Sequence, residues 1–121
     1  MKERQDGKGD LVKAARAYME AHSAEKFSLR EMSGALFVNG SYLLRTFRQQ
    51  TGMTPLHYHQ MIRCERAGEL LARTNQSISD VGEAVGFVSS SHFSHVFRRI
   101  KGCTPSEYRQ RHGRGAEESG T

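Results

Sequence analysis

Ser41 and Arg45 stand four residues apart, and Ser91 and His95 repeat that spacing further along the chain. On an α-helix such pairs share a face. Leu44 and Arg48 fall on the first face, Ser94 and Arg98 on the second. The apolar pairs Leu43/Phe47 and Phe93/Phe97 take the opposite sides, which must then be the buried ones. A helix with short polar residues near its N-terminus and a long donor one turn later suits the DNA major groove. The backbone can approach closely while the donor reaches base edges. This pattern predicts base reading by Ser41, Leu44 and Arg45 and by Ser91, Ser94 and His95. Leu44 would either meet a thymine methyl or simply stand exposed. His95 is a weaker reader than Arg45, because neutral histidine offers one donor. Arg48, Arg98, Arg99 and Lys101 are expected at phosphates. The competing reading of all these positions is an ordinary solvated face.

Other chemistry finds less support. His57 and His59 are two apart and would diverge on a helix. His92 and His95 share a face, yet no Cys, Asp or Glu stands at matching metal-ligand spacing. Cys64 and Cys103 fit neither a disulfide framework nor a zinc motif. Cys103 reads as a small buried hydrophobe. There is no glycine-rich phosphate loop and no Ser/His/Asp arrangement. No catalytic residue, metal or cofactor is therefore expected, and no small-molecule ligand in this chain.

The elements that must hold these residues can be read from an internal repeat. Asn39 to Gln60 lies over Ser89 to Gln110, matching Ser41, Phe47, Arg48, Gly52, Thr54, Pro55, Tyr58 and Gln60 with their counterparts. Upstream the register shifts by one, so that Val88 is an extra residue between two helical stretches, where a turn tolerates insertion. Each copy carries three helix starts. Ser28 with Glu31, and Ser77 with Asp80, have capping-box spacing. Asn39 and Ser89 are N-cap residues by type. Thr54-Pro55 and Thr104-Pro105 place proline at the first helical position, and Glu107 adds a box to the second. Gly52 and Gly102 suit the left-handed stop before those starts. Leu11, Val12, Ala15, Tyr18 and Met19 share one face of a leading helix over about 10–22. Gly68 inside the longest helix either weakens the joint between the copies or, the favoured reading, allows close packing. The expected organisation is a disordered lead (1–9), a first helix-turn-helix subdomain (10–54), a linker helix (55–74), a second subdomain (75–112) and a flexible tail (113–121).

The chain has 121 residues, one ordinary domain's worth, with 36% hydrophobic and 26% charged. No apolar run reaches the roughly 20 residues of a membrane helix, and the N-terminus lacks the apolar segment of a secretory signal. A cytoplasmic, nucleoid-associated location is the expectation. The net charge is +5, and thirteen of the eighteen basic residues are arginine, the side chain suited to forked contacts with phosphate and guanine. No acid occurs between Glu31 and Glu65 or between Glu83 and Glu107, and Arg45, Arg48 and Arg63 fall in the first window.

These motifs together resemble the DNA-binding domain of the AraC/XylS family of bacterial transcription regulators. The second copy carries most of the likeness: Ile78, Val81, Ala84-Val85-Gly86-Phe87, Phe93, Phe97, Arg98, Gly102, Thr104-Pro105 and Tyr108-Arg109. The first copy adds Ser41-Tyr42-Leu43, Phe47, Gly52-Met53-Thr54-Pro55, Tyr58, Arg63 and the stretch 67–71. The resemblance implies an all-α fold of seven helices, with two helix-turn-helix subdomains joined by a long central helix. It also implies binding of double-stranded DNA in two adjacent major-groove segments, as a transcription regulator, usually an activator that contacts RNA polymerase. Departures are Phe37, where the family often has glycine, and the small residues Ser33 and Gly82 in place of alanine. Phe37 is expected to pack inward, with the first turn distorted rather than lost. A helix-turn-helix adaptor that binds protein without DNA is the competing function; it calls for exposed aromatics rather than arginine and serine.

Overall fold

The computed structural model describes residues 2–113, all of whose regular elements are helices. They are α1 (Lys2–Ala21), α2 (Leu29–Ala35), α3 (Gly40–Thr51), α4 (Pro55–Arg73), α5 (Ile78–Ala84), α6 (Ser90–Lys101) and α7 (Pro105–His112). Two compact units divide the chain at residues 1–59 and 60–121. The division falls inside α4, which therefore runs from one unit into the other as the joining helix. Its first turns belong to the first unit, where Tyr58 meets Phe47 edge-on at 5.7 Å and His59 is buried beside Phe27. Its later turns supply Cys64, Ala67 and Leu71 to the core of the second.

The first unit buries Val12, Ala15 and Met19 of α1 with Met32 of α2 and Leu43 and Phe47 of α3. α1 begins at Lys2, well before the expected start, so the lead expected to be disordered is helical. Gly7 and Gly9 each disfavour helix by about 1 kcal/mol, but extending an established helix needs no new nucleus. The second unit packs Phe93, Val96 and Phe97 of α6 on Val81, Val85 and Phe87 and on α4. Beyond Gly113, the tail lies outside the described residues.

The N-caps follow the chemistry read from the sequence, but at Ser28 and Ser77 only the serine half of the expected capping box is present. Ser28, Asn39, Ser77, Ser89 and Thr104 all accept backbone N–H groups of the helices they open. Thr104 and Glu107 close the reciprocal box. Gly52 and Gly102 end α3 and α6 in the left-handed region, at φ 79° and 80°. Gly68 lets the Tyr108 ring approach: a Cβ there would stand 3.1 Å from its hydroxyl. Gly82 is tighter, since a Cβ would lie 2.7 Å from the Phe93 ring. Ser33, its counterpart, is buried and donates its hydroxyl to the Arg30 carbonyl.

Phe37 corrects an expectation. It does not pack inward but is 94% exposed. The turn is kept, as expected: Phe37 N–H donates to Gly34 O and Val38 N–H to Ser33 O, as Gly86 and Phe87 do to Glu83 and Gly82. To keep this geometry Phe37 takes φ 58°, a left-handed conformation that glycine adopts freely. Its side chain is thereby aimed away from the core.

Candidate nucleic-acid interface

α3 buries Leu43, Thr46 and Phe47, which turns Ser41, Leu44, Arg45, Arg48 and Gln49 outward. These five line one shallow surface depression. Their spacing of three and four residues makes them a continuous stripe. Asn39 Oδ1 accepts the N–H groups of Ser41 at 2.8 Å and Tyr42 at 3.3 Å, so the helix entry is held without either serine or arginine side chain. The Arg45 guanidinium lies over the Tyr42 ring, 5.9 Å from its centroid. This contact leaves the N–H fork available while limiting the side chain's freedom. Leu44 is 39% exposed, an apolar spot within a polar stripe.

α6 presents the matching positions. Phe93, Val96 and Phe97 are buried, Ser91, His95 and Arg98 are exposed, and Ser94 is half-buried. His92 turns its ring edge-on to Phe87 at 5.5 Å. Among the described residues no group of three or more His, Cys, Asp or Glu is gathered as for a metal ion. The thiol of Cys64 is buried, and burial pushes its pKa up to about 11; Cys103 is buried as well.

The basic residues divide in a way the sequence did not suggest. Arg48 and Arg98 are exposed, and neither side chain has a hydrogen bond or ion pair among the described residues. Arg99 and Lys101, both expected at phosphates, each donate a hydrogen bond to α4. Arg99 Nη2 donates to Gln60 Oε1 at 3.1 Å, and Lys101 Nζ to Glu65 Oε1 at 2.5 Å. The carboxylate and carboxamide on α4 lie 36 and 39 residues away in sequence, out of reach of any local reading. Arg63, counted in an acid-free window, is only 8% exposed. Its guanidinium lies 5.2 Å from the Phe87 ring centroid, and burial holds its pKa below the ordinary arginine value. It belongs to the interior of the second unit. Arg109 is likewise committed, its Nε donating to the Leu71 carbonyl near the end of α4. Two features of the α3 stripe were missed. Gln49, eight residues beyond Ser41, was visible from periodicity alone. Tyr42 beneath Arg45 follows from a three-residue spacing.

No described helix is long and apolar enough to cross a membrane. A family model described as a helix-turn-helix domain matches residues 32–111. The transcriptional activator RhaS of Enterobacter sp. (strain 638) is 37% identical over 94 residues, 78% of this chain and 34% of that protein. The chain thus spans about a third of the length of the curated relatives it matches. A crystal structure of an AraC-type DNA-binding-domain regulator from Chromobacterium violaceum superposes with TM-score 0.82 at 33% identity, covering 90% of this chain and 97% of that one. The DNA-binding domain of AdpA, a global transcriptional factor solved in complex with a target DNA, gives 0.75 at 27% identity, with coverages of 83% and 92%.

Proposed function

The chain belongs to the AraC/XylS-type helix-turn-helix family of DNA-binding transcription regulators, and from that membership we propose that α3 and α6 are recognition helices entering two adjacent major-groove segments. The observation that carries this reading is the α3 stripe: short, apolar and forked side chains in one row, opposite a fully buried face. Ser41, Leu44 and Arg45 meet base edges in the first segment, and Ser91, Ser94 and His95 in the second. Arg48 and Arg98 hold phosphates. Of the other two residues expected at phosphates, Arg99 keeps its charge and further N–H groups beside the neutral Gln60, whereas the Lys101 ammonium is already paired with Glu65. The chain acts by binding rather than catalysis, in the cytoplasm at the nucleoid, as an activator that contacts RNA polymerase. RhaS, a relative, is named as an activator.

A salt titration against duplex DNA, single-stranded RNA and a no-nucleic-acid control tests the reading. Duplex binding is expected to dominate and to weaken steeply between about 50 and 200 mM salt, as displaced counterions require. Affinity that barely changes, or a preference for RNA, overturns it. The adaptor reading gains one observation, the full exposure of Phe37 and Val88 at the two helix-turn-helix turns. Absence of duplex binding even at low salt favours the adaptor.

A further inference from the structure

Gln49 lies on the third turn of α3, four residues beyond Arg45, and lines the same depression as Ser41, Leu44, Arg45 and Arg48. Its carboxamide has no hydrogen-bond partner among the described residues. The repeat makes the contrast informative. Arg99 occupies the matching position on α6, where its Nη2 donates to Gln60 Oε1. At this position the first unit therefore offers a neutral, unengaged carboxamide, and the second a charged guanidinium bonded once to α4. A carboxamide carries no charge, so it adds nothing through counterion release. What it offers is direction: one donor and one acceptor side by side, the arrangement that pairs with N7 and N6 of adenine in the major groove. Arg45 and Gln49 are separated by a helical rise of about 6 Å. That is close to two base-pair steps of about 3.4 Å.

Resting on the reading of α3 as a recognition helix, we propose that Gln49 is a specificity-determining residue that reads an adenine, about two base pairs from a guanine read by Arg45. The neighbouring Gln50 is also exposed but does not line the depression, which makes it the natural control.

The test is selection of duplexes from a randomised pool by the full chain and by Gln49→Ala, Gln49→Glu, Gln50→Ala and Arg45→Ala, followed by binding measurements on the enriched duplex and on random duplex. The full chain should enrich a guanine and an adenine about two positions apart. Gln49→Ala should lose the adenine, keep the guanine, and bind the enriched duplex about tenfold more weakly, with little change on random duplex. Gln49→Glu should move the preference from adenine to cytosine, whose N4 amino group donates a hydrogen bond that a carboxylate accepts. Gln50→Ala should change neither base. If Gln49→Ala weakens both duplexes equally or leaves the enriched sequence intact, while Arg45→Ala still removes the guanine, the Gln49 assignment fails and base reading by α3 survives. If the full chain enriches no sequence at all, both fail.

Discussion

Phe37 holds a left-handed backbone with its ring in solvent, a combination that contributes nothing to the core. A non-glycine residue there costs roughly 1–2 kcal/mol, while glycine gives back about 0.5–1 kcal/mol in unfolded-chain entropy. Phe37→Gly should therefore stabilise the chain by about 0.5–1 kcal/mol in denaturant melts. A destabilised variant would mean that the ring packs on something. Glu107 is a second residue whose environment has a measurable sign. The Thr104 backbone and hydroxyl hydrogen bonds hold its carboxyl below the usual range. A group whose pKa is depressed on folding stabilises at neutral pH, and that contribution fades as pH falls through the folded value. The capped end of α7 should thus weaken on acidification below the ordinary carboxylate range. Glu107→Gln keeps an acceptor for Thr104 N–H but cannot titrate. Melting temperatures followed from neutral to acid pH should fall less for Glu107→Gln than for the parent chain; parallel curves would refute the assignment.

Elements in this chain were legible where their causes are local. The caps Asn39, Ser89 and Thr104 and the stops Gly52 and Gly102 act within one turn of their own positions, and each is found where its residue type placed it. The start of α1 was misplaced because the apolar face that marks the helix begins only at Leu11, whereas extension from a packed segment is cooperative. The α3 and α6 stripes were legible from periodicity. The engagement of Arg99 and Lys101 by α4 was not, because it depends on partners distant in sequence. Two glycines within helices test how closely the elements of the second unit fit. Gly82 and Gly68 each weaken a helix by roughly 1 kcal/mol relative to alanine. At Gly82 a new Cβ would lie 2.7 Å from the buried Phe93 ring, so α5 and α6 must separate or the ring must leave its rotamer. Overpacking of that kind typically costs about 1–3 kcal/mol. At Gly68 the nearest atoms belong to the outer end of Tyr108, a half-buried side chain that can shift by less. Gly82→Ala should therefore be the more destabilising of the two in urea melts. The reverse order would place the tighter contact at α4 and α7.

At the scale of the whole molecule, the basic side chains differ in how freely they can meet a polyanion. Of the basic residues named above, Arg63 is buried, Arg109 is bonded to Leu71, and Arg99 and Lys101 are bonded to α4. Arg45, Arg48 and Arg98 are left exposed on the stripes. Each phosphate contact adds about 0.9 to the slope of log affinity against log salt, so variants can be sorted by what they do to that slope. Arg98→Ala should flatten it by about 0.9 and weaken specific and random duplex alike. Lys101→Ala should leave it nearly unchanged, since its ammonium is already paired with Glu65. Arg45→Ala should act differently from both. A bidentate contact to guanine discriminates by roughly 1–3 kcal/mol, so the enriched duplex should lose about tenfold or more in affinity while random duplex loses little. His95→Ala should cost less discrimination than Arg45→Ala, because the neutral imidazole has a single donor. Equilibrium titrations of the four variants against both duplexes, at two salt concentrations, separate these outcomes. Should Arg45→Ala lower both affinities by one factor, Arg45 is a phosphate clamp. Should Lys101→Ala flatten the slope as much as Arg98→Ala, the Glu65 pair opens on DNA, and the basic surface is larger than the free protein presents.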